Sequence, residues 1–115
     1  AVEEAENAQT YVAAHLYTDA AIRRAIECGV KSIEHGNLIT PATAQLAKER
    51  GAFVVPTNIV YGRLAKDGAS LGLPPVSVAK IEDVRGAGLN ALRILQDAGA
   101  STPAQLRALA DPLSA

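Results

Sequence analysis

Large side chains are scarce in this sequence. Its 115 residues include no Trp, no Met and a single Phe, and aromatic residues make up 3% of the chain. Aromatic side chains bury the most area, so a chain that depends on alanine and small aliphatic residues is expected to have a thin core. Hydrophobic residues still account for 49% of the chain. That share predicts a folded unit of one domain's size rather than a disordered segment.

Other absences argue against several partners and compartments. Cys28 is the one cysteine and has no partner for an internal disulfide, which favours a reducing, cytoplasmic compartment. The formal net charge is -1 and there is no basic run, so neither nucleic acid nor an anionic membrane is expected as a partner. No apolar run approaches the roughly 18 residues of a transmembrane helix. Residues 1–6 are acidic, unlike the basic start of a signal peptide.

A repeated pattern of strands and helices runs through the first half of the chain. Residues 10–15 are predicted to be a strand because they are short and mostly apolar, and residues 31–35 and 52–56 are predicted to be strands because they stand at the equivalent places of the repeat. After each of the first two comes a threonine suited to cap a helix, and later a glycine suited to end it. This alternation with short connections predicts parallel βαβ units with right-handed crossovers.

The second half of the chain has a different pattern. Residues 57–75 contain three glycines and two prolines and are predicted to form a long loop. A long helix is expected from about residue 76 to residue 98, with one face formed by Ile81, Val84, Gly88, Leu92 and Leu95. We therefore divide the chain into an α/β unit, residues 1–100, and a divergent helical tail, residues 101–115.

The two histidines of the chain occupy equivalent positions. His15 and His35 each end a predicted strand, and the carboxyl ends of parallel strands are where α/β folds build their sites. They are one βαβ repeat apart, so we expect them on adjacent strands at the same level. Two imidazoles so placed can share a metal ion. The alternative is that each is an ordinary polar residue at a strand end, and spacing alone leaves both interpretations open.

Four segments resemble one enzyme family when they are taken together. They are Ala14-His15-Leu16-Tyr17-Thr18, residues 21–30, Ser32-Ile33-Glu34-His35-Gly36-Asn37 and residues 51–57. In this order they resemble the amidohydrolase superfamily, within it the imidazolonepropionase-like and Xaa-Pro-dipeptidase-like branch. The resemblance covers about residues 2–99. It implies an eight-stranded α/β barrel in which this chain supplies strands five to seven, which is a partial TIM-type barrel.

The resemblance also implies a chemistry. Members of this family hydrolyse amide or peptide-like bonds, and this branch includes dipeptidase-like and carboxypeptidase-like enzymes. By resemblance His15 and His35 bind a divalent metal, usually zinc. Tyr17, in a His-x-Tyr arrangement, resembles a position that can contact the carboxylate of the substrate.

The sequence departs from the family pattern in ways that bear on activity. It has no His-x-His motif, no bridging lysine and no counterpart of the family's catalytic aspartate, and Asp111 lies in the divergent tail. We therefore assign no catalytic residue, and we expect the chain alone to be inactive and its metal site vestigial. One hypothesis is a segment of an amidohydrolase whose partner is the rest of the barrel. The other is a non-catalytic, self-assembling α/β domain, most simply a homodimer, because open sheet edges invite pairing.

Further polar residues are weaker candidates for a site. Glu34 is expected on the opposite strand face from His35. Cys28 is expected to be a small buried residue. Asn37 and Thr57 follow strand ends, where they either line a pocket or are ordinary loop residues.

Charged and aromatic residues outside the strands are expected to be solvent-exposed. Tyr61 and Arg63 fall in the predicted loop and are expected to face solvent, although a contact with substrate is conceivable there. Arg23 and Glu27 have the i, i+4 spacing of a helical ion pair.

Overall fold

The computed structural model describes residues 1–100, and the tail predicted for residues 101–115 lies outside the described residues. Eight elements follow one another along the described residues. They are α1 (Val2–Asn7), β1 (Ala13–Thr18), α2 (Asp19–Glu27), β2 (Ser32–Leu38), α3 (Pro41–Arg50), β3 (Phe53–Val55), α4 (Asn58–Asp67) and α5 (Pro75–Ala98).

The three strands form one parallel sheet in the order β1-β2-β3. The central strand is β2, in which Ile33 pairs with Ala14 on one side and with Val54 on the other. The predicted parallel βαβ arrangement is therefore confirmed, as expected of a partial barrel. The first strand begins three residues later than predicted. Its hydrogen bonding to the residues at the start of β2 begins at Val12, whose carbonyl accepts hydrogen bonds from the main-chain N–H groups of Lys31 and Ser32.

Local signals in the sequence explain where α3 begins and ends. The hydroxyl of Thr40 accepts a hydrogen bond from the main-chain N–H of Thr43, and Pro41 occupies the first helical position. Gly51 ends the helix in the left-handed conformation, with φ of 63°. Helix α2 begins differently, because Thr18 makes no side-chain cap bond. Asp19 instead accepts a hydrogen bond from the main-chain N–H of Thr40, at 2.8 Å, and so ties the start of α2 to that of α3.

The core lies between the sheet and helices α2, α3 and α5. Its largest fully buried side chains are Ile22, Ile26, Ile33, Val54 and Thr43. Alanines of α3 and α5 fill the remaining space. None of these fully buried side chains is aromatic, as the composition predicts.

The predicted loop over residues 57–75 is wrong for its first half. Asn58–Asp67 form α4, which packs against α5. The glycines suggested a loop, but Gly62 is the one glycine inside this helix and the prolines come after its end. An isolated glycine costs a helix about 1 kcal/mol. Packing of the helix, which buries Tyr61 to 8% exposure, offsets that cost.

The predicted helix over residues 76–98 is confirmed as α5, with one change to its buried face. Gly88 and Leu95 are buried as expected, but Leu92 is 42% exposed and Ala91 is buried instead. This helix packs against β2, α3 and α4 together, so its contact surface is wider than a single stripe. Within residues 1–100, no helix combines the length and apolar character needed to cross a membrane.

Candidate functional site

The two histidines meet at the carboxyl end of the sheet. Nδ1 of His15 lies 2.8 Å from Nε2 of His35, and the ring centroids are 5.0 Å apart. They lie on adjacent strands, as expected, but they are not level. His15 pairs with Glu34, and His35 pairs with Leu16. Neither histidine ends its strand, because β1 continues to Thr18 and β2 to Leu38.

An irregular backbone brings the two rings together. Paired residues of neighbouring strands point to the same face, so regular alternation would place His35 on the face of Leu16, away from His15. The chain breaks that alternation twice. The register shifts between Leu16 and Thr18, and His35 has φ of 77°. Such irregularities re-aim side chains near functional sites.

Gly36 makes this conformation possible. It also has positive φ, at 63°, and it is buried. A Cβ on Gly36 would lie 2.6 Å from Cγ1 of Val54 on β3. The strand therefore turns at His35 and Gly36 with no space for a larger residue at the second position.

Three side chains surround the ring of His35. Tyr17 stacks on it with centroids 4.8 Å apart and planes 6° apart. Tyr61 approaches edge-on, with centroids 6.1 Å apart. On the third side, Oγ1 of Thr57 lies 2.5 Å from Nδ1 of His35. Tyr17 is 43% exposed and so lies on the open side of the cluster.

The protonation of the cluster follows from its burial. Burial lowers the pKa of the His35 imidazole, and the nearby His15 acts in the same direction, while the carboxylate of Glu34 opposes both. Burial also raises the pKa of the Tyr61 phenol to about 12, assisted by Tyr17. At neutral pH the cluster therefore presents a neutral imidazole and a neutral phenol.

Two members of this cluster were not recognised from the sequence. Tyr61 was expected to face solvent in a loop, but it is 8% exposed on α4 and touches His35. Thr57 was left between two interpretations, and it contacts His35 directly. Thr57 and Tyr61 are four positions apart, and residues with that spacing share one face of a helix. The spacing predicts their common orientation only when α4 is recognised as a helix.

The remaining candidates fall outside the cluster. Glu34 accepts a hydrogen bond from the hydroxyl of Ser32 at 2.7 Å. Asn37 is buried, and its Nδ2 donates to the main-chain carbonyl of Val84 at 3.2 Å, so it does not line an open pocket. The expectation that Cys28 is buried is wrong, because it follows α2 at the C-cap and is exposed.

The charged candidates are exposed, as predicted. Arg23 and Glu27 form the expected pair at 3.9 Å. Arg63 pairs with Asp67 at 3.1 Å, with its side chain 77% exposed.

The donor set of the two histidines fits part of a metal centre. Two nitrogens that bind one zinc tetrahedrally lie about 3.3 Å apart, for Zn–N distances of about 2 Å. The observed 2.8 Å separation is close to that value, so a small opening of the pair would suffice. Within residues 1–100 there is no group of three or more His, Cys, Asp or Glu placed to hold a metal. The pair therefore fits as two ligands of a larger set.

The histidine cluster lies at the carboxyl end of a parallel sheet, which is where α/β-barrel enzymes have their active sites. Comparison with solved structures shows which enzymes of this class the chain resembles. A prolidase in complex with N-methylphosphonate-L-proline matches with a TM-score of 0.81 at 56% identity, over 86% of this chain and 24% of its own. A Xaa-Pro dipeptidase with bound methionine matches with a TM-score of 0.72 at 27% identity, over 86% of this chain and 25% of its own. Ochratoxinase of Aspergillus niger matches with a TM-score of 0.75 at 34% identity, over 87% of this chain and 22% of its own.

The resemblance to amidohydrolases predicted from the sequence is thus confirmed, and the chain corresponds to a segment of such an enzyme. By sequence alone the A. niger ochratoxinase is 35% identical over 91 residues, which is 78% of this chain. The chain spans between 18% and 27% of the length of the curated relatives that it matches. No protein-family model matches the chain.

Proposed function

We propose that this chain supplies two metal ligands, His15 and His35, to the hydrolytic site of an amidohydrolase that cleaves amide or peptide-like bonds. The observation that carries the proposal is the convergence of Nδ1 of His15 and Nε2 of His35 at 2.8 Å. The backbone is irregular at the points that bring those two atoms together. Two ordinary polar residues that each made their own hydrogen bonds at a strand end would not need this irregularity.

The chemistry follows from the family and from the neutral state of His35. A zinc ion held in part by His15 and His35 would supply Lewis-acid chemistry for hydrolysis of the amide bond. Neutral imidazole is the form that binds a metal, and burial keeps His35 in that form. The contact with Thr57 fixes the other ring nitrogen, the role that hydrogen-bond acceptors behind metal-binding histidines commonly have.

The substrate class is proposed from Tyr17 and from the relatives. The phenol of Tyr17 is 43% exposed beside His35, where its hydroxyl is available to a substrate carboxylate. The relatives include a prolidase and a Xaa-Pro dipeptidase. We propose a dipeptidase-like or carboxypeptidase-like specificity in which Tyr17 binds the terminal carboxylate.

A zinc titration by calorimetry tests the ligand assignment. Two imidazoles without a third protein ligand bind zinc weakly, because catalytic sites commonly use three protein ligands and a water. We expect weak binding by the 115-residue chain and none by the variant that combines His15→Ala with His35→Ala. Equal binding by both proteins would exclude the histidines as ligands. Tight stoichiometric binding lost in the variant would instead overturn the expectation of a vestigial site.

The second candidate is a non-catalytic, self-assembling α/β domain. Among the described residues β1 and β3 each pair with β2 alone, so the sheet has two open edges. Large apolar side chains are also exposed, including Ile59 at 81% and Leu71 at 70%. These surfaces favour association with a second copy, whose test is the oligomeric state.

A further inference from the structure

The imidazole of His35 is held by a hydroxyl from a different element. Thr57 lies between β3 and α4, and its Oγ1 is 2.5 Å from Nδ1 of His35. Thr57 occupies the N-cap position of α4, where a threonine hydroxyl ordinarily accepts a hydrogen bond from the first turn. Here it makes no such bond. The hydroxyl contacts His35 and the phenol of Tyr61 instead, so the start of α4 is not fixed by a side-chain cap.

The next residue anchors the start of α4 instead. Nδ2 of Asn58 donates to the main-chain carbonyl of Gly88 on α5, at 3.1 Å. One helical turn earlier on α5, the carbonyl of Val84 accepts from Nδ2 of Asn37, at 3.2 Å. Two successive turns of α5 therefore hold the residue after Thr57 and a residue two positions after His35.

Stability alone does not explain these two amides. Oδ1 of Asn37 and Oδ1 of Asn58 are both buried and have no hydrogen-bond partner among residues 1–100. A buried amide with an unpaired oxygen destabilises a fold, whereas an apolar side chain of similar size would not. The amides are better explained by what they position.

Gly88 makes room for this arrangement. A Cβ on Gly88 would overlap Oδ1 of Asn58 and would lie 2.9 Å from Nδ2 of Asn37. Glycine in the middle of a helix weakens it relative to alanine. The same helix contains Gly86, where a Cβ would meet no atom of the described residues within 4 Å. The two glycines therefore differ in what surrounds them and not in helix propensity.

We propose that Asn58 is a positioning residue for His35. Seated over Gly88, it fixes Thr57 against Nδ1 of His35, so that the ring keeps its proton on Nδ1 and directs the lone pair of Nε2 toward His15. The Nδ1–H of His35 donates to Oγ1 of Thr57, and Nε2 accepts from Nδ1–H of His15. The consequence for metal binding rests on the proposed function, whereas the positioning itself does not.

The tautomer of His35 is the direct measurement. Two-bond ¹H–¹⁵N spectra, recorded well above the ordinary imidazole pKa of about 6.5, distinguish a protonated ring nitrogen from an unprotonated one. We expect His35 to show a single tautomer in the parent chain and in Gly86→Ala. In Gly88→Ala and in Asn58→Ala we expect that pattern to be lost and replaced by the averaged signals of a mixture. Folded Gly88→Ala and Asn58→Ala proteins with parental His35 signals would overturn the proposal.

Variants of Thr57 keep the proposal testable if Gly88→Ala and Asn58→Ala prevent folding. Thr57 is half-buried and its side chain does not cap α4, so its substitution removes no cap bond, and only the contacts of its hydroxyl with His35 and Tyr61 change. Thr57→Ser retains a hydroxyl and should preserve the single tautomer, while the isosteric Thr57→Val should lose it. Retention of the pattern in Thr57→Val would refute a role for this hydroxyl and, with it, the positioning by Asn58.

Zinc affinity separates this inference from the proposed function. Residues that orient a metal-binding histidine typically change metal affinity by about 10-fold or more. We expect zinc binding about 10-fold weaker in Gly88→Ala than in Gly86→Ala. If no variant binds zinc but the tautomer changes as described, the positioning stands and the ligand assignment fails. If zinc binds through the histidines with equal affinity and unchanged tautomers in both glycine variants, the positioning fails and the ligand assignment stands.

Discussion

At the scale of single residues, the sequence identifies the site but not the means by which it forms. His15 and His35 could be paired in advance because each ends a predicted strand at the same place in the repeat. The observed register pairs His35 with Leu16, so regular alternation of side chains would place the two histidines on opposite faces of the sheet. The positive φ of His35 turns its side chain toward His15 in spite of the register. No local sequence rule predicts that backbone conformation at this histidine. The two histidines therefore lie together as predicted. They do so through a backbone irregularity that the periodicity of the sequence does not reveal.

The glycine after His35 gives a prediction at this scale. Gly36→Ala should lower the free energy of unfolding by about 3 kcal/mol, because the new Cβ is strained by positive φ and collides with Val54. Gly51→Ala is the matched control, since Gly51 has the same φ of 63° but an open surrounding. It should lose about 1 kcal/mol from the backbone alone. Urea unfolding measures both, and equal losses would show that the contact with Val54 does not matter.

At the scale of elements, local signals located most of the secondary structure within a few residues. Caps and terminal glycines mark α3 because they act through their immediate neighbours. The sequence misassigned α4 because its stability comes from packing on α5, which a window of residues does not contain. That one error also concealed Tyr61 and Thr57, since their common orientation depends on the helix. The missed part of the site is thus the part that depends on tertiary packing.

The connection between α2 and α3 gives a prediction at this scale. Burial alone would raise the pKa of Asp19, but hydrogen bonds from Thr40 and Thr43 outweigh it and the pKa lies below its usual value. A carboxyl group with a lowered pKa in the folded state stabilises the fold above its unfolded pKa of about 3.9. That stabilisation is lost as the pH falls through the folded pKa.

Substitution of this carboxylate should therefore have a pH-dependent effect. Asp19→Asn should lower the free energy of unfolding by about 1 kcal/mol at neutral pH, through the weaker bond to Thr40. The difference from the parent chain should shrink as the pH falls below about 4. Asp83→Asn, which removes an exposed carboxylate of α5, is the control and should show little difference at either pH. Urea midpoints across this range provide the measurement, and a gap that is constant with pH would contradict the linkage.

At the scale of the whole molecule, the chain matches about a quarter of each related enzyme structure. A hydrolytic zinc centre needs further ligands and a base within reach of the bound water. The described residues provide two histidines and no larger metal-binding group. The proposed zinc centre would therefore need ligands and a base in addition to what residues 1–100 provide.

This incompleteness predicts the behaviour of the purified chain. We expect no appreciable hydrolysis of acyl-amino acids or of dipeptides ending in proline by the 115-residue chain, with or without added zinc. The measurement is product formation at high enzyme concentration, with the His15→Ala and His35→Ala double variant as the background. Turnover that exceeds this background and disappears on chelation would contradict the expectation.

The open surfaces of the sheet give the last prediction, which is a homodimer in solution. Unpaired strand edges template pairing with another chain, and two-fold dimers are the commonest closed assembly. A lysine on an edge strand blunts such pairing. Ala13 is exposed on β1, so Ala13→Lys should shift the chain toward monomer. Ala42→Lys adds the same charge at an exposed position of α3 and should leave the dimer intact. Light scattering at micromolar concentration reports the mass of each protein. A monomeric parent chain would rule out the dimer, and a dimer equally resistant to both substitutions would place its interface away from the edge of β1.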